Sequence, residues 1–451
     1  MLKKIAFFLI FFIPLVAFCQ PKDNSPYSRF GIGDIVDRNF MSSQFMGGLG
    51  ASYKDPFQIN IVNPASLSYL SSTTFDIGVF AENSGLRDGV STDNPQPSEY
   101  QNIWKGNLSY LSLAIPLQNK LNDVLDRKER NISLATAFTL MPYSTVGYNV
   151  KIDEFDDDIG EIKKKFEGSG GTYQFVWSNG IRYKQLAFGL NLGYLFGNLD
   201  YLRRVEFEQS APFFETELRE TNRLKGFLWN AGAMYTFKLN GENINNDVNF
   251  VPKRLTIGIH GNSKTGFNNR STAFEGSIQN VSGILDSLNS TSEIMESTGK
   301  LPSELGLGAT YYHGSKYALG FNYSTTKWSQ FESSFVNNKL NNIKKLSFGG
   351  YYRPNYNSIG SYFERVYYRF GLYVNEVPNE IPQNSNEIIR DIGVSVGFGF
   401  PFFYQRKISH ANLGVTLGML GKGTAVEERY VKLSFSFTFN DDEWLIKRKY
   451  N

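Results

Sequence analysis

The stretch Asp391-Ile392-Gly393-Val394-Ser395-Val396-Gly397-Phe398-Gly399-Phe400 decides the fold. Large apolar side chains take every second position and small ones the rest, the period of an extended strand whose two faces meet different surroundings. The same period carries Val431, Leu433, Phe435, Phe437 and Phe439 past Lys432, Ser434, Ser436 and Thr438. It recurs in Leu413 to Met419, in Ala187 to Tyr194 and in Phe227 to Phe237. A soluble β-sandwich also alternates, but its outer faces carry charge. Here the second face is mostly Gly, Ser, Ala, Thr and Asn, and several of the runs exceed the usual five or six residues. About ten residues with one apolar face suffice to cross a bilayer as a barrel strand, and small residues on the other face suit a filled lumen.

Composition agrees with that reading. Hydrophobic residues make up only 41% of the chain and mean hydropathy is −0.31, yet aromatic content is 15%, with 38 Phe and 26 Tyr. Barrels keep hydropathy modest and concentrate aromatics at both membrane interfaces. The one continuous apolar run, Ile5 to Phe18, follows Lys3 and Lys4 and is too short for a spanning helix. It reads as a signal peptide, 1–19, cleaved before Gln20, with Ala17 and Cys19 as the small residues of the cleavage site. Phe18 disfavours the alternative of a lipidated Cys19. Cleavage removes the single cysteine and takes the formal charge from +3 to +1, by loss of Lys3 and Lys4. Disulfides and thiol chemistry are thereby excluded, and nothing in the charge favours nucleic acid.

The pattern gives an all-β transmembrane antiparallel barrel of about 14 strands over 74–439, preceded by an N-terminal hatch or plug over 20–73 and followed by a periplasmic tail over 440–451. Both termini are expected in the periplasm, with long outer connections at Glu82–Asn107, Lys151–Gly171, Ile278–Pro302, Phe331–Ile343 and Tyr373–Arg390. The acidic run Asp153, Glu154, Asp156, Asp157, Asp158 and Glu161 reads as a solvated loop, since its spacing is not a calcium site and Lys163 to Lys165 follow. Trp444, Leu445 and Ile446 make the tail a candidate docking peptide, against the plainer reading of a solvated end.

The segment before the first strand does not alternate. It contains Met46-Gly47-Gly48-Leu49-Gly50 and Asn63-Pro64-Ala65, and later phrases include Met141-Pro142-Tyr143-Ser144 and Gly189-Leu190-Asn191-Leu192-Gly193. On these residues the chain resembles the FadL-like outer-membrane transport proteins. That resemblance implies a fourteen-strand barrel with an N-terminal hatch carrying an Asn-Pro-Ala turn inside the barrel mouth. Read locally, Asn63 and Pro64 are equally the cap and first turn of a short helix. Gly47 and Gly48 would let backbone pack against the inner wall, or simply shape a loop.

No enzyme is expected, because His260, His313 and His410 lack an oriented partner and no Gly-Xaa-Ser-Xaa-Gly elbow lies near His260 or His410. No metal and no cofactor are expected either. Inward positions are mostly small and neutral, with exceptions such as Asp76, Glu82, Arg369 and Lys432, which does not suggest the opposed charge rings of a porin. Arg369 is a candidate to pair with Asp76 or with a hatch carboxylate. The expected function is passive uptake of hydrophobic or amphipathic small molecules through a gated lumen in the cell outer membrane, with a lateral opening where a strand kinks. The alternative is a non-transporting structural subunit of a secretion or envelope-assembly complex, with a sealed lumen. Expected partners are outer-membrane lipid and lipopolysaccharide, a hydrophobic ligand and envelope proteins.

Overall fold

A computed structural model describes residues 25–88, 101–118, 131–157, 160–207, 215–241, 250–281, 284–335, 339–378, 388–404, 407–424 and 426–441. The signal peptide and the apolar handle of the tail lie outside the described residues.

A two-residue strand, β1 (Asp34–Ile35), belongs to the N-terminal segment. The wall follows as β2 (Thr73–Asp88), β3 (Gln101–Pro116), β4 (Ile132–Asp156), β5 (Gly160–Tyr183), β6 (Leu186–Phe207), β7 (Glu215–Lys238), β8 (Lys253–Asn262), β9 (Thr265–Val281) and β10 (Ile284–Leu301). It is completed by β11 (Glu304–His313), β12 (Tyr317–Thr326), β13 (Ile343–Tyr352), β14 (Tyr367–Glu376), β15 (Arg390–Tyr404), β16 (Lys407–Leu420) and β17 (Val426–Asp441). Every pairing is antiparallel, and β17 zips onto β2, so the sheet closes into a barrel. β8 with β9, and β10 with β11, are single wall strands broken near Ser263 and Pro302, which leaves fourteen staves.

The alternation reads directly as inside and outside. Phe175 and Phe188 are 45% and 52% exposed, whereas their neighbours Gln174 and Ala187 are buried. The apolar band on β5 runs from Tyr183 up to Tyr173, about the height of a hydrocarbon core. Above it the sequence expectation of loose loops fails. β4 and β5 continue as a paired hairpin to Asp156↔Gly160, and Asp153, Glu154, Asp156 and Glu161 lie on these strands, with Asp153 opposite Lys163 and Lys164 bonded to Glu154 at 2.6 Å; Asp158 lies outside the described residues. The span 278–302 is likewise mostly a β9–β10 hairpin. Opposite charges facing across a ladder favour pairing over solvation, so these segments extend the wall beyond the membrane. Long hairpins mark the outer end.

Candidate functional site

Residues 25–72 fill the lumen. They begin at the outer end, not the periplasmic one: Ser25 donates to Glu428 at 2.6 Å, and the Tyr27 hydroxyl donates to the Val426 carbonyl beside the β16–β17 turn. From there the chain descends the full height of the barrel before β2 starts. Met41, Phe45, Met46 and Leu49 are buried along the way, and the wall meets them with glycine. A Cβ on Gly371 would sit 1.9 Å from the Gly47 nitrogen, and one on Gly258 1.9 Å from the Ala51 carbonyl oxygen. Gly47 itself needs glycine, since its φ is +72° and its α-carbon lies against the Leu372 backbone. Gly48, at φ +88°, closes the same turn near Asn39 and Ser347.

Asn63-Pro64-Ala65 sits lower, packed on β5 to β8. Both local readings of its sequence hold together: Asn63 Oδ1 accepts from the Ala65 nitrogen at 3.2 Å, and Pro64 opens a short 3-10 helix, Pro64–Tyr69. The Asn63 amide also donates to three carbonyls, Ala51 at 2.6 Å within the plug and Ala233 and Ile259 at 3.2 Å on the wall. That second role was not legible locally, because it needs the barrel to bring β7 and β8 alongside.

Arg369 is 2% exposed, and the expected carboxylate pairing is replaced by neutral partners. Its guanidinium donates to Asn412 Oδ1 at 2.8 Å and to Gln58 Oε1 of the plug at 3.2 Å, and lies over the Tyr367 ring. Asp76 is held instead by the Tyr110 hydroxyl at 3.4 Å. Arg369 is thus a clamp on the plug, but through an amide. The three histidines are packed: His260 lies 3.9 Å from Glu304, His313 stacks on Tyr317, and His410 lies between Phe57 and Tyr367.

Between β3 and β4 the wall opens near the level of the apolar band. β3 and β4 pair only from Leu111↔Leu140 to Pro116↔Ala135, in the periplasmic half. Above this, Gln101–Tyr110 and Met141–Asp156 pair with β2 and β5 but not with each other. The cause is local. Ser109 bulges out of the β2–β3 register and Tyr143 out of the β4–β5 register, and Pro142 offers no N–H to a neighbour. The gap starts level with Phe175 and Tyr173, at the outer rim of the apolar band. β1 enters it, pairing Asp34 with Thr145 and Ile35 with Ser144.

Behind the gap lies a cavity of about 740 Å³. Lys105 reaches Glu82 at 2.9 Å and Glu428 at 3.7 Å there, and Asp37 pairs with Lys345. Burial, incompletely offset by Lys105, raises the Asp34 carboxyl to about 7. Arg38 grips Glu304 through both carboxylate oxygens, at 2.8 and 2.7 Å. These ion pairs pin Asp34–Asn39 as a partition between the outer cavity and a smaller one of about 130 Å³ lined by β5–β8 and β11–β13.

A closed fourteen-strand barrel, belted with apolar side chains and filled by its own N-terminal segment, defines the class of plugged outer-membrane β-barrels. Among solved structures it is similar to a FadL homologue of Pseudomonas aeruginosa, at 10% identity over 91% of this chain and 99% of that one, with a TM-score of 0.55. It is similar also to the toluene transporters TbuX of Ralstonia pickettii (12% identity, 91% and 100% covered, TM-score 0.50) and TodX of Pseudomonas putida (13%, 91% and 99%, 0.50). At these identities the likeness is one of fold. No curated protein matches the chain in sequence. The chain belongs to the BamG family, whose model matches residues 1–451.

Proposed function

We propose that the protein is a passive conduit for amphipathic small molecules, which enter sideways from the outer leaflet and pass the N-terminal segment. The observation that carries this reading is the unpaired stretch between β3 and β4, opening at the outer rim of the apolar band onto a 740 Å³ cavity. An amphiphile in the outer leaflet can leave its apolar tail in lipid while its head enters a polar chamber. The partition Asp34–Asn39 is then the gate, held by the ion pairs of Asp37 and Arg38 and by the short pairing of β1 with β4.

The test is a cysteine pair, Ile35→Cys with Ser144→Cys. Antiparallel partners stand about 4.5–5.5 Å apart at Cα, within disulfide range, and the sequence holds one other thiol, Cys19, in the expected signal peptide. Uptake of radiolabelled octyl glucoside is measured in cells carrying only this variant, oxidised and then reduced. Oxidation is expected to cut uptake at least tenfold and reduction to restore it. Equal uptake in the two states, or in cells lacking the protein, overturns the reading.

A second reading, a non-transporting subunit of an envelope complex, is favoured by the backbone-to-glycine packing of the plug at Gly258 and Gly371. The same variant separates the two. If envelope integrity fails without the protein and is fully restored by the oxidised variant, a locked plug suffices and the subunit reading stands.

A further inference from the structure

The smaller cavity, walled by β5 to β8 on one side and β11 to β13 on the other and covered by the plug, carries polar groups that the fold leaves unused. Asn230 is 1% exposed, and neither its amide nitrogen nor its carbonyl oxygen has a hydrogen-bond partner. Directly across the ladder, Asn191 spends its nitrogen on the Ile61 carbonyl at 2.7 Å and leaves Oδ1 free. Gln174, buried on β5, leaves Nε2 free. Buried amides left without partners cost about 1–3 kcal/mol each, so three around one void are hard to explain as wall filler. The charged residues that line the void are already matched, Arg38 with Glu304 and Asp37 with Lys345, so no spare charge faces it.

We infer that this cavity is a binding site for an uncharged, hydroxyl-rich head group, such as the polyol or sugar head of a neutral amphiphile. A hydroxyl donates once and accepts twice, which answers the mixture of free N–H and C=O presented by Asn230, Asn191 and Gln174. An anionic or cationic head finds no counter-charge and would lose its hydration. Ile35–Asp37, Asn39 and the Gly47–Gly48 turn line this cavity and the outer one alike, so a head reaching the site from the gap crosses one turn of the plug. The inference deepens the conduit reading and rests on it for the ligand's apolar tail and route of entry.

The full-length mature protein in lipid nanodiscs is titrated with radiolabelled octyl glucoside, with empty nanodiscs subtracted. Unlabelled octyl glucoside is expected to displace the label at least tenfold more effectively than octanoate or octylammonium. Asn230→Ala is expected to weaken binding tenfold or more, because a site built to bond hydroxyls loses its discrimination when a partner is removed. Heat-modifiable gel migration checks that the barrel has folded, and Gln174→Met, on another strand, gives an independent variant. Equal displacement by all three heads, a void that takes up only water, or unchanged affinity in both folded variants overturns the inference. Failure of the conduit reading shows separately, as specific glucoside binding in nanodiscs without oxidation-sensitive uptake in cells.

Discussion

The double variant Gly258→Val/Gly371→Val is expected to expel residues 25–72 from the lumen while leaving the wall closed. Each added Cβ would meet plug backbone at 1.9 Å, not the movable end of a side chain, and valine adds two methyls beyond it. Overpacking a dense interior costs about 1–3 kcal/mol per site, and the two sites are on separate strands, β8 and β14, so the costs add. The wall itself has no reason to fail, because a β-branched residue suits a strand better than glycine does. Limited proteolysis is expected to remove the N-terminal segment from the variant and spare it in the wild type. Planar-bilayer recordings should change from closed to large open steps. Gly360→Val is the control, since no atom lies within 4 Å of a Cβ there. A protease-resistant, closed double variant would show that the plug can shift to accept both side chains, and the account of the glycines would fall.

These glycines also show how far the sequence could be read. Gly189, Gly393, Gly397 and Gly399 were visible as the small face of alternating strands, and closure of a barrel follows from that alternation because a bilayer tolerates no open edge. What the small face accommodates was not visible. The plug has no period, so its path from the outer mouth to the periplasmic end is set by contacts far apart in sequence, such as Ser25 with Glu428 and Gln58 with Arg369. The gap between β3 and β4 was hidden for a different reason. A one-residue bulge at Ser109 or Tyr143 leaves the apolar count nearly unchanged, and only Pro142 signals it. The outer hairpins read as loops in the sequence because charged strands lose the apolar face that carries the period. Arg369 was rightly placed inward, but charge alone favoured an acid as its partner, whereas the plug offers the amide of Gln58.

Asn63→Asp is expected to release the lower plug more than Asn63→Ala does, although aspartate caps a helix as well as asparagine. The cap needs only Oδ1, which accepts from Ala65, and aspartate keeps that bond. The amide nitrogen shares its two N–H groups among the carbonyls of Ala51, Ala233 and Ile259, in a site with no exposed surface. Alanine forfeits these bonds at about 1 kcal/mol each, a loss of about 2–3 kcal/mol. Aspartate turns an acceptor toward three acceptors and buries an uncompensated charge, for which about 3–5 kcal/mol is the usual scale. Hydrogen exchange at residues 60–70 reads the difference directly, because opening of the lower plug exposes these amides. Protection should fall from wild type to alanine to aspartate. If aspartate instead protects as well as asparagine, the residue is a helix cap and nothing more. The plug would then be held to β7 and β8 only by the fit of its backbone into the glycines, and the bonds to Ala233 and Ile259 would count for nothing in keeping the lumen closed.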